Sequence, residues 1–191
     1  MGLLLLEFVS PVPPSVNSYL GKKVVSIKGK KPYVQVYKTS EATKFDKHLQ
    51  NIIKRAMAKC DWSTPEDGKY IEAHYTLFLE RKRKDADNYF KLINDALTHC
   101  GAIVDDDCLI PVVDNIYIDN KSPRIEISLK VADKVGIFKD EETYEKFISA
   151  NCTSCNRYNR NCSILKSSRD NKITEEINLN ELVCSAKKNK K

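Results

Sequence analysis

Between Tyr70 and Cys100 the spacing of apolar residues changes, and this change constrains the fold more than any other feature of the chain. Ile71, Ala73, Tyr75, Leu77 and Leu79 alternate with polar or less apolar neighbours, the pattern of a strand with one buried face. Tyr89, Leu92, Ile93, Ala96, Leu97 and Cys100 then recur at helical spacing, and Gly101 supplies a stop. A strand followed by an amphipathic helix calls for an α/β layer arrangement. The flanking sequence agrees. Residues 3 to 9 read as a first strand, and Pro11, Pro13 and Pro14 impose an extended connection after it. Val24 to Tyr37 reads as a hairpin with the basic tip Lys28, Lys30 and Lys31. Ser40 is placed to cap a helix running to about Lys59, with Phe45, Leu49, Ile52, Ile53, Ala56 and Met57 on one stripe. Pro65-Glu66-Asp67-Gly68 is a turn, and two further strands are predicted near 112–118 and 124–131. The predicted class is α/β: a small mixed β-sheet with helices packed on it, plus a small cysteine-containing C-terminal appendage. The boundary falls between residues 1–133 and 134–191, with Asp133–Lys139 as a linker, a helix from Asp140 to Ala150, and a short element over 174–182.

The 191 residues suffice for such a core, and 41% hydrophobic against 30% charged residues exclude a disordered chain. No apolar run reaches the ~20 residues of a membrane span, so no membrane association is expected. The opening Met1–Glu7 stretch lacks a basic leader and a cleavage site and reads as a strand rather than a signal peptide. Seven cysteines without such a leader point to a reducing compartment, the cytoplasm. The net charge of +6 permits a polyanionic partner without requiring one. Its placement says more. Arg81, Lys82, Arg83 and Lys84 form a block at the end of a strand, and Lys187, Lys188, Lys190 and Lys191 form a basic tail.

Directly after that block comes Asp85-Ala86-Asp87-Asn88, and after the helix comes Asp105-Asp106-Asp107. Asp87, Lys91 and Asp95 are four residues apart and share a helix face opposite the apolar stripe. With residues 84–86 extended, Asp85 projects to the side of Asp87. The helix carries the chain about 20 Å away, so Asp105 or Asp106 must be returned by the following loop. Hydrolysing a phosphodiester needs hard oxygen ligands for a cation such as Mg²⁺, or Mn²⁺ in its place, which polarises the phosphoryl group and acidifies water. A neighbouring lysine, here Lys91, stabilises the charge that builds up or helps protonate the leaving group. Each part has a plainer reading alone. Asp-x-Asp-Asn caps helices, three aspartates make a solvated loop, and Lys91 is an ordinary i,i+4 partner. Their conjunction beside a basic block favours a metal-dependent phosphate enzyme.

The run Arg83 to Leu97, followed by Gly101 and Asp105-Asp106, resembles the signature of the RusA family of Holliday junction resolvases, and Pro13-Pro14-Ser15-Val16-Asn17 resembles that family's proline–asparagine segment. The resemblance covers roughly residues 1 to 131. It implies a homodimer that resolves four-way DNA junctions by paired, metal-dependent nicks in a bacterial or phage-infected bacterial cytoplasm. Asp85, Asp87 and Asp106 match the family's catalytic carboxylates, Lys91 its essential lysine, and Asp105 the neighbouring aspartate. Which of Asp105, Asp106 and Asp107 meets the metal stays open. The resemblance puts the Lys28–Lys31 hairpin in the region of dimer and DNA contacts, and Arg81–Lys84 flank the site where phosphate is held. A non-catalytic branched-DNA-binding protein with a structural acidic cluster is the alternative. The absence of a glycine-rich phosphate loop counts against a nucleotide-binding P-loop protein.

Cys152, Cys155, Cys162 and Cys184 lie outside the resemblance. They supply four soft ligands, compatible with Zn²⁺ or with an iron–sulfur cluster, and free thiols in a tail are the plain alternative. Arg157, Tyr158 and Arg160 between them offer DNA contacts by charge and stacking.

Overall fold

A computed structural model describes residues 5–66, 68–82 and 84–188, without the side chains of Val16, Asn17 and Asn159. Leu3, Leu4, Asp67, Arg83, Lys190 and Lys191, which figure in the sequence reading, lie outside the described residues. The chain forms two units, Met1–Val131 and Ala132–Lys191.

The first unit is built on one mixed sheet. Its elements are β1 (Leu5–Pro11), α1 (Val16–Tyr19), β2 (Leu20–Val25), β3 (Tyr33–Lys38), α2 (Ser40–Cys60), β4 (Ile71–Leu79), α3 (Asp87–His99), β5 (Leu109–Ile118) and β6 (Arg124–Val131). The sheet order is β1-β6-β4-β5. β6 is antiparallel to β1 and β4, whereas β5 is parallel to β4, with Ile71 opposite Leu109 and Leu79 opposite Ile118. Parallel neighbours require a crossover, and α3 is that crossover. β1 and β5 are the edges, which explains why Pro11 and Pro111 are tolerated in them.

The predicted alternation in β4 is realised: Ile71, Ala73, Tyr75, Leu77 and Leu79 are buried on one face. With Leu6 and Phe8 of β1 and Ile125, Ile127 and Leu129 of β6 they meet Leu49 and Ile53 of α2 and Ile93, Ala96 and Leu97 of α3. Each such side chain stabilises the fold by roughly 1.5–3 kcal/mol relative to exposure. Polar contacts set the docking of α3. The Tyr75 hydroxyl donates to Asn94 Oδ1 at 2.8 Å, and the Tyr75 and Phe90 rings lie 4.5 Å apart. His99 Nδ1 meets Asp46 Oδ2 of α2 at 3.0 Å. Trp62 Nε1 donates to Ala102 O at 2.9 Å, tying the chain ahead of β4 to the loop after α3. Gly101, at φ +75°, takes the left-handed position that ends the helix, and Ala102 N closes back on Leu97 O.

β2 and β3 form a separate antiparallel ribbon. Gly21 lies opposite Tyr37 because a Cβ there would sit 2.5 Å from the Tyr37 ring. The base of the ribbon is held by buried Tyr19, packed with Ala42 and Leu92, while Val24, Tyr33, Val34, Val36 and Tyr37 are exposed along it.

Three local expectations are corrected. Thr39, not Ser40, caps α2: its side chain accepts from Ala42 N, and Ser40 is already helical. The lead into α3 is not extended, because Ala86 has helical dihedrals and Asn88 N bonds to Asp85 O. Residues 133–139 are not a bare linker either, since Phe138 is buried in the second unit's core and Val135 bridges to it.

The second unit contains α4 (Glu141–Phe147), which continues as a wider turn over Ile148–Cys152, then α5 (Ser163–Arg169) and a ribbon of β7 (Ile177–Asn178) with β8 (Val183–Cys184). Asp140 caps α4 by accepting from Thr143 N at 2.7 Å. Phe138, Phe147 and Ile177 are its buried core. No described helix in either unit is long and apolar enough to cross a membrane.

Candidate active site

β4 delivers the chain to the basic block, and α3 begins at Asp87 with no side-chain cap. The helix dipole favours negative charge beside this start, although Asn88 N and Tyr89 N are already bonded to Asp85 O and Ala86 O. Here a cleft of about 640 Å³ opens, lined by Glu80, Arg81, Lys84, Asp85, Asn88 and Tyr89. Val12, Pro13, Pro14 and Ser15, Glu41 and Phe45 of α2, and Pro123 line the same cleft. The proline segment and the Asp85–Asn88 segment, about seventy residues apart in sequence, therefore face one cavity. Asp85 and Asp87 are both exposed. Glu41 and Glu80 add carboxylates that sequence reasoning did not single out; nothing in their spacing marks them, since only the docking of α2 and the end of β4 brings them to the cleft.

Of the basic block, Arg81 and Lys84 line the cleft, Lys84 Nζ standing 3.5 Å from Glu80 Oε2. Lys82 is exposed, and Arg83 lies outside the described residues. Lys28, Lys30 and Lys31 are exposed at the turn of the β2–β3 ribbon.

Lys91 and Asp106 belong to a second group further along α3. Lys91 Nζ is 3.4 Å from Asp95 Oδ1, and Lys38 Nζ, at the end of β3, is 2.8 Å from Asp95 Oδ2. Burial pushes the Asp95 carboxyl up, but the Lys38 bond and charge, with Lys91, outweigh it and hold the group below its usual value. The Asp95 charge in turn raises Lys91, with smaller contributions from Tyr19 and Asp106. Lys91 therefore stays cationic at neutral pH, which suits it to stabilising charge rather than accepting a proton.

The acidic loop is sorted by hydrogen bonding. Asp105 spends one carboxylate oxygen on Asp106 N at 2.7 Å, capping the short 3-10 turn Asp106–Cys108, while Asp106 is half-buried and Asp107 exposed. That turn leads directly into Leu109, which pairs with Ile71 at the start of β4. Asp85 and Asp87 instead follow the end of β4. Asp106 nevertheless lies within electrostatic reach of Lys91, which stands one helical turn from Asp87. Among the described residues no three His, Cys, Asp or Glu side chains already stand as a metal cage. The chemistry of the donors still fits a small hard cation, because Mg²⁺ keeps several waters and takes only one or two protein carboxylates beside substrate phosphates.

Residues 11–130 match the family model described as Endodeoxyribonuclease RusA, well over half of the chain. The protein belongs to the RusA family. It is thus an endodeoxyribonuclease of the Holliday junction resolvase class, acting on branched DNA. No curated protein matches the chain. The RusA match begins at the last residue of β1 and ends one residue short of the C-terminus of β6, so it covers the other three sheet strands, the cleft and the Lys91 group and stops before the second unit.

Proposed function

We propose that the chain resolves four-way DNA junctions as a homodimer, by paired Mg²⁺-dependent phosphodiester hydrolysis at the cleft between Pro13-Pro14-Ser15 and Asp85–Asn88. The observation that carries this reading is that cleft itself: two distant segments of the RusA region meet across a cavity that offers both a carboxylate and two cations to a phosphate. Asp85 and Asp87 are the first ligands for Mg²⁺, with Mn²⁺ as its substitute, and Asp106 is the third carboxylate, in preference to Asp105, whose side chain caps its own turn. When bound, such an ion polarises a phosphoryl oxygen and makes a water more acidic. Arg81 and Lys84 hold the phosphate backbone. Lys91, kept protonated by Asp95, offsets the negative charge that builds on the phosphoryl group. Lys28, Lys30 and Lys31 extend the contact to flanking phosphates.

The β2–β3 ribbon supports the dimer. A two-stranded ribbon is marginal alone in water, and this one exposes Val24, Val34 and Val36 by half or more. A second copy would cover that surface, and its two-fold axis would present two sites to a four-way junction.

The test is nicking of a synthetic four-way junction beside a linear duplex of the same sequence, with Mg²⁺ and with chelator. Junction-selective cleavage that requires the divalent ion is expected. Asp87→Asn should lower the cleavage rate by several kcal/mol of barrier, on the order of a thousandfold, with junction binding retained. Equal rates on both substrates would remove the junction-specific part of the reading, and undiminished cleavage in chelator would remove the metal.

A further inference from the structure

Unit 2 has little to hold it together. Its buried apolar cluster is Phe138, Phe147 and Ile177, its helices α4 and α5 are two turns each, and its ribbon is two residues a side. Modules this small usually need a disulfide or a metal to fold, and its cysteines are free thiols.

The polar contacts of this unit converge on the cysteines. Cys152 and Cys184 both pack on the edge of the apolar cluster. Between them stands Asn151, only 5% exposed. Its amide nitrogen donates to Phe147 O at 2.9 Å and to Leu182 O at 2.8 Å, and its oxygen accepts from Cys184 N at 3.0 Å. One buried side chain thus fixes the Cys184 backbone beside the segment that ends in Cys152. Cys155 follows in a tight turn, Cys155 N bonding to Cys152 O at 2.9 Å and Tyr158 N to Cys155 O at 3.2 Å. The last described strand of chain is laced to the same turn: Asn156 N donates to Lys188 O, Lys187 Nζ to Ala150 O, and Lys188 N to Cys155 Sγ at 3.5 Å. The Lys188 N–H thus points at the buried Cys155 sulfur, an arrangement that favours a sulfur carrying negative charge.

We propose that Cys152, Cys155, Cys162 and Cys184 form a structural zinc site that completes the fold of the C-terminal unit. Cys152 and Cys184 share the edge of one apolar cluster, and the turn that starts at Cys152 leads through Cys155 to Cys162 at the start of α5. A thiol coordinated to a divalent ion is deprotonated outright. Four thiols release four protons to solvent as one Zn²⁺ binds; nothing is oxidised or reduced. Arg157 beside Cys155 and Lys187 beside Cys152 offset the remaining negative charge of a four-thiolate site. Among the described residues no three such side chains already stand as a metal cage, so an ion would have to draw the sulfurs together, and in small modules that binding energy is folding energy. A single ion is favoured over an iron–sulfur cluster because Cys152 and Cys184 already rest on the apolar core, and one ion with Zn–S bonds of about 2.3 Å inserts the fewest atoms there.

The experiment is metal analysis of the full chain, purified without chelator from medium containing both zinc and iron. One zinc and no iron per chain is the expected result, with tetrahedral thiolate spectra after cobalt(II) replaces the zinc. Cys184→Ser should lose the metal, and Cys60→Ser should keep it. If Cys184→Ser does not fold, Cys184→His, which retains a ligand, should restore zinc. A chain that binds no zinc, or that binds iron with a visible chromophore, overturns the proposal. So does a chain in which fewer than the seven cysteines react as thiols after denaturation without reductant. The readout is independent of nuclease activity.

Discussion

The two units solve the same problem by different means. In Met1–Val131 a long alternating strand and two amphipathic helices exclude water from one continuous core, and polar side chains such as Asn94 and Asp46 only adjust how the helices lie on it. In Ala132–Lys191 the apolar cluster is so small that a buried asparagine and a lattice of backbone bonds around four thiols carry the organisation. Apolar burial tolerates imprecision because it is non-directional. A polar, ligand-dependent core fails when one partner is lost. Mutations should therefore have graded effects in the first unit and sharper, metal-linked effects in the second.

The largest stability effect is expected at the centre of the sheet. Leu77→Ala should cost about 2–5 kcal/mol, read as a lower urea midpoint at unchanged slope. A change in zinc content of the same magnitude as in Cys184→Ser would blur the distinction between the units. Next is Asn151→Ala, which leaves Leu182 O and Cys184 N without their partner, at about 1–3 kcal/mol. Weaker zinc retention against a chelator, together with faster amide exchange in the second unit, is the expected signature. Full zinc retention would mean the asparagine does not hold the cysteines in place.

Two smaller effects concern pH. The Asp95 carboxyl is held below its usual value of 3.8, so its contribution is fully present above that pH and is lost as the pH falls through the lower value in the folded chain. Wild type should exceed Asp95→Asn by up to about 1 kcal/mol at neutral pH, and the gap should close in acid. Freed from Asp95, Lys91 should also titrate closer to an ordinary lysine, which proton–nitrogen NMR can follow. The smallest effect is on the open face of the sheet. The register shift between Tyr75 and Thr76 sets Asp114 as an extra residue in β5, and its carboxylate meets His74 Nδ1 at 3.0 Å. Asp114 raises His74 above its ordinary 6.5, and Glu72 adds to this against the opposing effect of burial. The stabilisation is therefore complete below pH 6.5 and is lost as the pH rises through the elevated value. In Asp114→Asn the His74 titration should move down, with a stability change within about 0.5 kcal/mol. An unmoved titration would show that the pairing is not kept in solution.

Much of the fold was legible from residue spacing. β4 and α3 follow from periodicity, because burial on one face imposes a period of two on strands and 3.6 on helices; the ribbon and the second half of β5 are exposed and were legible only as runs of β-branched and aromatic residues. Where short-range preference competed with context, reading by pattern erred. Ser40 is a good cap residue, yet Thr39 occupies the extended position with its oxygen in reach of Ala42 N. Phe138 looked like part of a linker because Val135, Ile137 and Phe138, broken by Gly136, are too few to show a period.

The same division holds for the site. Sequence by itself determined the donor chemistry, the basic block and the family, since each is a matter of which residues occur in which order. Tertiary structure alone decided that Pro13-Pro14-Ser15 and Glu41 face Asp85 across a cleft, that Asp105 is consumed in a turn, and that Lys91 is shared with Asp95 and Lys38. Contacts between residues far apart in the chain depend on how β4, α3 and β5 pack, and side-chain periodicity constrains which face is buried but not what that face meets.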